Sequence, residues 1–191
     1  VLASRSPRRR ALLAAAGLRF EIRHADVDET HRGDEAAGAY AERLAQEKAL
    51  AVARRHGTAD CVVLGADTVV VLDDAILGKP VDDAHAETLL ARLCGRTHRV
   101  ITAVALVVDD PRDVRALRVE SRVTMRSASG EEIRAYVALG ESRDKAGAYA
   151  LQGEGRRLVE RVEGSESNVI GLPLDETLAL LRGAGVMGAG G

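Results

Sequence analysis

One aspartate, Asp67, stands between two apolar runs, Cys61 to Leu64 and Val69 to Leu72, with Gly65 before it and Thr68 after it. A buried carboxylate is costly unless it is paired or bound to a metal. Asp67 therefore has a partner or marks a cleft where the first run ends as a strand at Gly65. The plainer reading is a turn residue bonding to its own backbone. Cations and small polar residues recur at other strand ends: Ser4 to Arg9, Lys79 between Gly78 and Pro80, and Lys145 and Gln152 in a glycine-rich stretch. Ligands of α/β folds collect at strand ends. Cations gathered with a carboxylate suit a polyphosphate carrying a divalent metal. Phosphate oxygens take Lys and Arg, while the metal takes Asp or Glu and keeps several waters. Asp26-Val27-Asp28-Glu29 is either a metal-facing acidic loop or a solvated turn.

The elements that must position these residues alternate between strand and helix patterns. Val1-Leu2-Ala3 reads as the tail of a first strand that begins upstream. Ser6 suits an N-cap and Pro7 a first helical residue. Leu12, Leu13 and Ala16 then make an inward stripe, and Gly17 closes the helix at C′. Three arginines, Arg8 to Arg10, crowd the first turn, where the helix dipole disfavours cations by some tenths of a kcal/mol each. They make sense there if an anion binds; the alternative is a solvated basic turn. A strand is expected over Leu18 to His24, then a long helix capped by Asp34 and ending at His56. Its apolar face takes in Ala37, Tyr40, Ala41, Leu44, Ala45 and Ala51, with Lys48 beside it.

Val69 to Leu72 and Ala75 to Leu77 form a hairpin around Asp73-Asp74. Asp82 or Asp83 caps a helix to Leu93. Long strands follow over Thr97 to Val108 and Val114 to Met125, the second alternating apolar residues with Arg and Glu, so that one face is wet. Ser129 to Glu132 is a capping box for a helix through Leu139. Leu158 to Val162 is a strand, Gly164 to Asn168 a loop starting a helical turn, and Leu172-Pro173-Leu174 leads into a final helix to Leu181. The Gly/Ala tail from Gly183 is expected to fray.

With 191 residues, 46% hydrophobic and 29% charged, the chain suits one domain with a sizeable core. One Phe, three Tyr and no Trp leave that core to Ala, Val and Leu. A net charge of −2 supplies no basic field for a nucleic acid polymer or a membrane surface. Scarce aromatics also argue against a base-stacking platform. Cys61 and Cys94 have no metal spacing and read as two buried free thiols, which fits a reducing compartment. Without a leader pattern or a long apolar run, a cytoplasmic protein is expected. Lys79 does not belong to a P-loop, because the glycines and trailing Ser or Thr are missing. No Gly-x-Ser-x-Gly occurs, and the five histidines are scattered singly.

Taken in order, Ser4-x-Ser6-Pro7-Arg8-Arg9, Gly65-Ala66-Asp67-Thr68, Gly78-Lys79-Pro80, Gly95-Arg96-Thr97-His98, Asp144 to Tyr149, Gln152-Gly153 and Gly171 to Leu174 resemble the Maf family. These are nucleoside triphosphate pyrophosphatases first named as septum formation proteins. The resemblance is collinear from about Leu2 to Leu181. Each motif is short, but the ordered set is specific. It implies an α/β fold like that of inosine triphosphate pyrophosphatase: a mixed twisted sheet flanked by helices, with two lobes around a central cleft. A single domain over residues 1–182, a flexible tail over 183–191 and a homodimer go with it.

The implied activity is house-cleaning hydrolysis of a nucleoside triphosphate to the monophosphate and pyrophosphate with Mg²⁺ or Mn²⁺. By motif, Asp67 takes the proton acceptor's place, and Arg8, Thr68 and Gln152 match the positions that distinguish substrate subgroups. Ser4, Arg9, Glu29, Lys48 and Lys79 match further positions lining the family's cleft. The Lys145 to Tyr149 pattern with Gln152 resembles the dTTP/UTP subgroup rather than the 7-methyl-GTP one. Asp67 and Glu29 would be metal ligands, and Ser4, Arg9, Lys48, Lys79 and Lys145 would contact phosphate or substrate. The sequence departs from the family at Arg5, where a small or neutral residue is frequent, and at Glu166, where an aromatic is common. Two rival expectations are a 7-methyl-GTP-type enzyme and a cell-division regulator that senses nucleotides without turnover.

Overall fold

The computed structural model describes residues 1–24, 26–58 and 61–186. Seven strands among them form one mixed sheet flanked by helices, in the order β2-β1-β3-β5-β6-β7, with β4 pairing β3. The strands are β1 (Leu2–Ala3), β2 (Ile22–Arg23), β3 (Val63–Leu72), β4 (Ala75–Leu77), β5 (Thr97–Val107), β6 (Val114–Met125) and β7 (Val159–Glu163). The helices are α1 (Pro7–Ala15), α2 (Ala37–His56), α3 (Asp83–Leu93), α4 (Gly130–Ala138), α5 (Glu166–Ile170) and α6 (Leu174–Gly183). The chain divides into two compact units. One comprises Val1–Asp67, Thr102–Val119 and Gly171–Gly191; the other comprises Thr68–Ile101 and Glu120–Ile170.

In the first unit β1 lies between β2 and β3 and pairs in parallel with both, Leu2 opposite Ile22 and opposite Leu64. The chain thus leaves β1 in opposite directions for its two neighbours, which is a switch point of the kind that opens a ligand crevice at strand C-termini. Its core is aliphatic: Leu2, Leu13, Leu64, Ala66, Val104, Leu106, Leu172 and Leu181 pack together.

In the second unit β3 and β4 make the expected hairpin, with Val70 opposite Leu77 and Leu72 opposite Ala75. Asp73 and Asp74 both take positive φ, 47° and 66°, as a two-residue turn matched to strand twist requires. Leu89, Leu90 and Leu93 of α3 enter a core with Val100, Met125, Tyr136 and Tyr149. Asp82 caps α3, and Ser129 and Glu132 form the reciprocal box on α4.

Several expectations need correction. The strand that enters from Val63 does not stop at Gly65; β3 runs without a break through Gly65-Ala66-Asp67-Thr68 to Leu72. The expected strand over residues 18–24 shrinks to Ile22–Arg23. Asp34 caps nothing on α2, which begins at Ala37 behind Ala36 with no side-chain cap. Arg43 binds the neighbouring Glu35 instead. Cys61 and Cys94 are free but half-buried rather than buried. Gly183 closes α6, and the expected tail lies outside the described residues from 187 on.

Candidate active site

β1 pairs with β3 at Leu2 and Leu64, and past that pair the Arg9 side chain bonds both Ser4 Oγ and Ala66 O, one residue before Asp67. The loop after β1 and the middle of β3 therefore meet at one place. Ser6 caps α1 by accepting from Arg9 N, with Pro7 at the first position. This fixes the direction in which Arg8 and Arg9 leave the helix. Arg8 is half-buried. Arg9 is buried, and its side chain braces three segments: Nε donates to Gly171 O at 2.7 Å, and Nη1 donates to Ala66 O at 2.9 Å and Ser4 Oγ at 3.3 Å. Burial pulls the Arg9 guanidinium below its usual pKa, and the charge of Asp67 draws it back up.

Gly65 explains how a strand can carry Asp67 past α2. A Cβ at Gly65 would lie 2.3 Å from Ala45 O and 2.8 Å from Ala49 N, so β3 crosses the helix backbone where only glycine fits. Asp67 follows two residues later and points to the same side. There it meets Lys48, the helix residue next to Ala49. Lys48 Nζ lies 2.6 Å from Asp67 Oδ1 and 2.6 Å from Glu29 Oε1. Within β3 only Asp67 and Thr68 are half-buried, and the other eight residues are buried. The polar interruption read in the sequence is thus an opening in a closed strand, not its end.

Two carboxylates share one ammonium here, and the buried Arg9 guanidinium also feels the charge of both. No group of three or more His, Cys, Asp or Glu that could hold a metal occurs among the described residues. A pair of carboxylates nevertheless fits Mg²⁺ or Mn²⁺, hard ions that bind one or two carboxylates and complete their shell with water and phosphate oxygens. Ser4, Arg9, Glu29, Lys48 and Asp67 are therefore brought together within the first unit.

Thr68, Lys79, Lys145 and Gln152 belong to the second unit. Thr68 is half-buried, while Lys79 and Gln152 are exposed. Gly147 N donates to Gly78 O at 3.1 Å, which ties the loop bearing Lys79 to the loop bearing Lys145. Lys145 pairs with Asp144. Glu141, which carries no signal in the sequence, accepts from Glu154 N and Gly155 N at 3.2 and 3.3 Å. It fills the space left by Gly153, where a Cβ would stand 2.6 Å from Oε1, and so fixes the turn just after Gln152.

The Lys145 loop ends on a buried pair. His98 Nε2 and the Tyr149 hydroxyl are 2.7 Å apart with the rings edge to face. Burial pushes His98 down to about 4 from 6.5, so the fold holds the neutral ring. Between these values the unfolded chain binds more protons than the folded one. Stability therefore rises with pH from about 4 to 6.5, by roughly 3 kcal/mol in all, and is lost as pH falls. His98→Gln is expected to remove most of that slope in melting curves recorded across the window. An unchanged slope would show that other groups carry it.

The fold and site define an α/β protein with a cation-bridged acid pair at a switch point between parallel strands. The Maf-like protein family profile matches residues 1–184, and the chain belongs to that family. It is 55% identical over 186 residues to a dTTP/UTP pyrophosphatase of Myxococcus xanthus (strain DK1622), covering 97% of this chain and 92% of that protein. It is 51% identical over 187 residues to a dTTP/UTP pyrophosphatase of Hahella chejuensis (strain KCTC 2396), with the same coverage. A dTTP/UTP pyrophosphatase of Methylobacillus flagellatus is 50% identical over 185 residues, again covering 97% and 92%. Among the described residues no helix is long and apolar enough to cross a membrane.

Proposed function

We propose that this chain hydrolyses dTTP and UTP to the monophosphate and pyrophosphate. The observation that carries the reading is the arrangement of Asp67 and Glu29 on Lys48, in a chain about half identical along almost its whole length to proteins named for that activity. Hydrolysis of a phosphoanhydride needs an oriented water, a proton acceptor and neutralisation of phosphate charge. Asp67 is assigned as the acceptor of the water's proton. Asp67 and Glu29 would hold Mg²⁺ or Mn²⁺, which when bound supplies charge neutralisation on phosphate oxygens and a lowered water pKa.

Lys48 keeps the two carboxylates together against their mutual repulsion. Arg8, Lys79 and Lys145 take non-bridging phosphate oxygens. Ser4 and Arg9 serve within the first unit: the buried Arg9 adds positive charge there and binds both Ser4 Oγ and Ala66 O. Gln152 carries both a donor and an acceptor, which suits the O4 and N3–H edge shared by uracil and thymine, and Thr68 stands beside Asp67 in substrate choice. Two half-buried thiols outside any disulfide favour a cytoplasmic setting, and a homodimer goes with the proposal.

The test is a panel of single nucleotides with Mg²⁺, each assayed for pyrophosphate release. dTTP and UTP are expected to lead. Gln152→Glu, which loses the amide donor, is expected to lower kcat/KM for both by about 10-fold, as a hydrogen bond lost with its partner left unsatisfied, about 1–3 kcal/mol, would. Turnover led by 7-methyl-GTP, or wild-type kcat/KM for dTTP and UTP in Gln152→Glu, would contradict the assignment.

A further inference from the structure

The acid pair depends on Glu29, which comes from the segment before α2 over residues 26–36, where no helix or strand is formed. Something must set that loop down in one place, and α2 supplies it. Tyr40, Arg43 and Glu47 lie at i, i+3 and i+7 and so share one helix face. The Tyr40 hydroxyl donates to Glu29 O at 2.6 Å. Arg43 Nη2 donates to Thr30 O at 3.1 Å. Arg43 also grips Glu35 with two parallel bonds, Nε to Oε1 and Nη2 to Oε2, both at 2.9 Å, and Nη1 reaches Glu47 Oε2 at 3.3 Å. The Arg43 and Glu35 side chains are only 14% and 15% exposed, so this bidentate pair is shielded and not a solvated surface contact. The Arg43 guanidinium lies over the Tyr40 ring at 5.4 Å, and His31 meets the ring's edge at 5.1 Å. The loop is thus held at the consecutive backbone carbonyls of Glu29 and Thr30 and again at Glu35.

We infer that Tyr40 and Arg43 are positioning residues that latch this loop by its backbone and set the Glu29 carboxylate on Lys48, beside Asp67. Both act through main-chain carbonyls of the loop. The inference rests on the proposed role of Glu29 as a cation ligand, and it adds two residues of α2 to what determines cation affinity. Partners that orient a metal ligand typically change metal affinity by about 10–100-fold when removed. Tyr40→Phe removes one donor and leaves the ring, its packing and the helix in place.

The experiment titrates Mn²⁺ into the full chain by electron paramagnetic resonance, and measures dTTP hydrolysis against Mg²⁺ concentration. Wild type, Tyr40→Phe, Arg43→Lys and Glu29→Gln are compared, with melting temperatures alongside. Tyr40→Phe and Arg43→Lys are expected to weaken Mn²⁺ binding about 10-fold and to raise the Mg²⁺ needed for half-maximal rate by a like factor, with kcat at saturating Mg²⁺ within about 2-fold. A merely structural role would lower melting temperature and leave the metal dependence alone. If Glu29→Gln loses Mn²⁺ and Tyr40→Phe binds it like wild type, the latch is wrong and the site reading stands. If Glu29→Gln binds Mn²⁺ like wild type, or wild type binds none, the site reading falls and the latch falls with it. Should Arg43→Lys fail to fold, Tyr40→Phe decides alone.

Discussion

Asp67→Asn is expected to lower kcat for dTTP by about 10²–10⁴-fold, the range typical for loss of a general base, while the fold survives. The change is isosteric, so β3 keeps its course and the new amide keeps the carboxylate's place opposite α2. What disappears is the negative charge and the capacity to accept a proton. Lys48 is not orphaned, because Glu29 Oε1 remains 2.6 Å from its Nζ. The Lys48 and Asp67 side chains are only 16% and 13% exposed, so losing this shielded, charge-assisted contact is expected to cost about 1–3 kcal/mol of stability. The substituted protein should melt no more than about 2–12 °C below wild type and still bind nucleotide through its phosphate-facing cations. Wild-type kcat in the Asp67→Asn variant would remove Asp67 from the chemistry.

The second large effect comes from a residue with no functional group. Gly65→Ala places a methyl group 2.3 Å from Ala45 O and 2.8 Å from Ala49 N. Both are helix backbone atoms that cannot swing aside as a flexible side chain could. Overpacking commonly costs about 1–3 kcal/mol, and a backbone clash of this depth belongs at or above the upper end. At that size the melting temperature of a chain this long falls by roughly 6–12 °C. Relief requires β3 and α2 to separate, which draws Asp67 away from Lys48. Activity should thus fall in the protein that remains folded, measured well below the melting point. Gly183→Ala is the control: a Cβ there meets nothing within 4 Å, and stability should hold or rise slightly. Equal melting of Gly65→Ala and wild type would show that β3 does not need this approach.

These two residues show what can be read from the sequence. Asp67 is legible because a carboxylate between two apolar runs breaks a strong pattern, and its neighbours in the ordered motifs supply a family. Its position in mid-strand is not legible. Gly65 reads as a strand stop when only local signals are weighed, whereas its function is a close approach to a helix about twenty residues earlier in the chain. Tertiary contact of that kind leaves no local signature. The same holds for Arg9: its place in a basic turn suggests a hand held out to phosphate, and only the fold reveals Gly171 and Ala66 as its partners. Asp34 looks like a cap because Asp favours that position, but the helix starts three residues later and Glu35 is taken up by Arg43.

The Tyr40 row is within reach of the sequence. Tyr40, Arg43 and Glu47 fall on one stripe of a helix recognised from its pattern, and an aromatic read as core carries a hydroxyl that needs an acceptor when it packs. Hairpin turn, capping box and α3 cap match their expectations, since each rests on contacts within a few residues. Strand order and the pairing of Leu2 with Leu64 join segments some sixty residues apart in the chain, and no periodicity encodes them.

The central claim is that this site splits a nucleoside triphosphate into monophosphate and pyrophosphate. Phosphorus NMR of dTTP incubated with the wild-type protein and Mg²⁺ tests it most directly. The account predicts that dTMP and pyrophosphate signals grow together in equal amounts as the triphosphate declines. Appearance of dTDP with orthophosphate, or an unchanged triphosphate spectrum for dTTP and UTP alike, would contradict it.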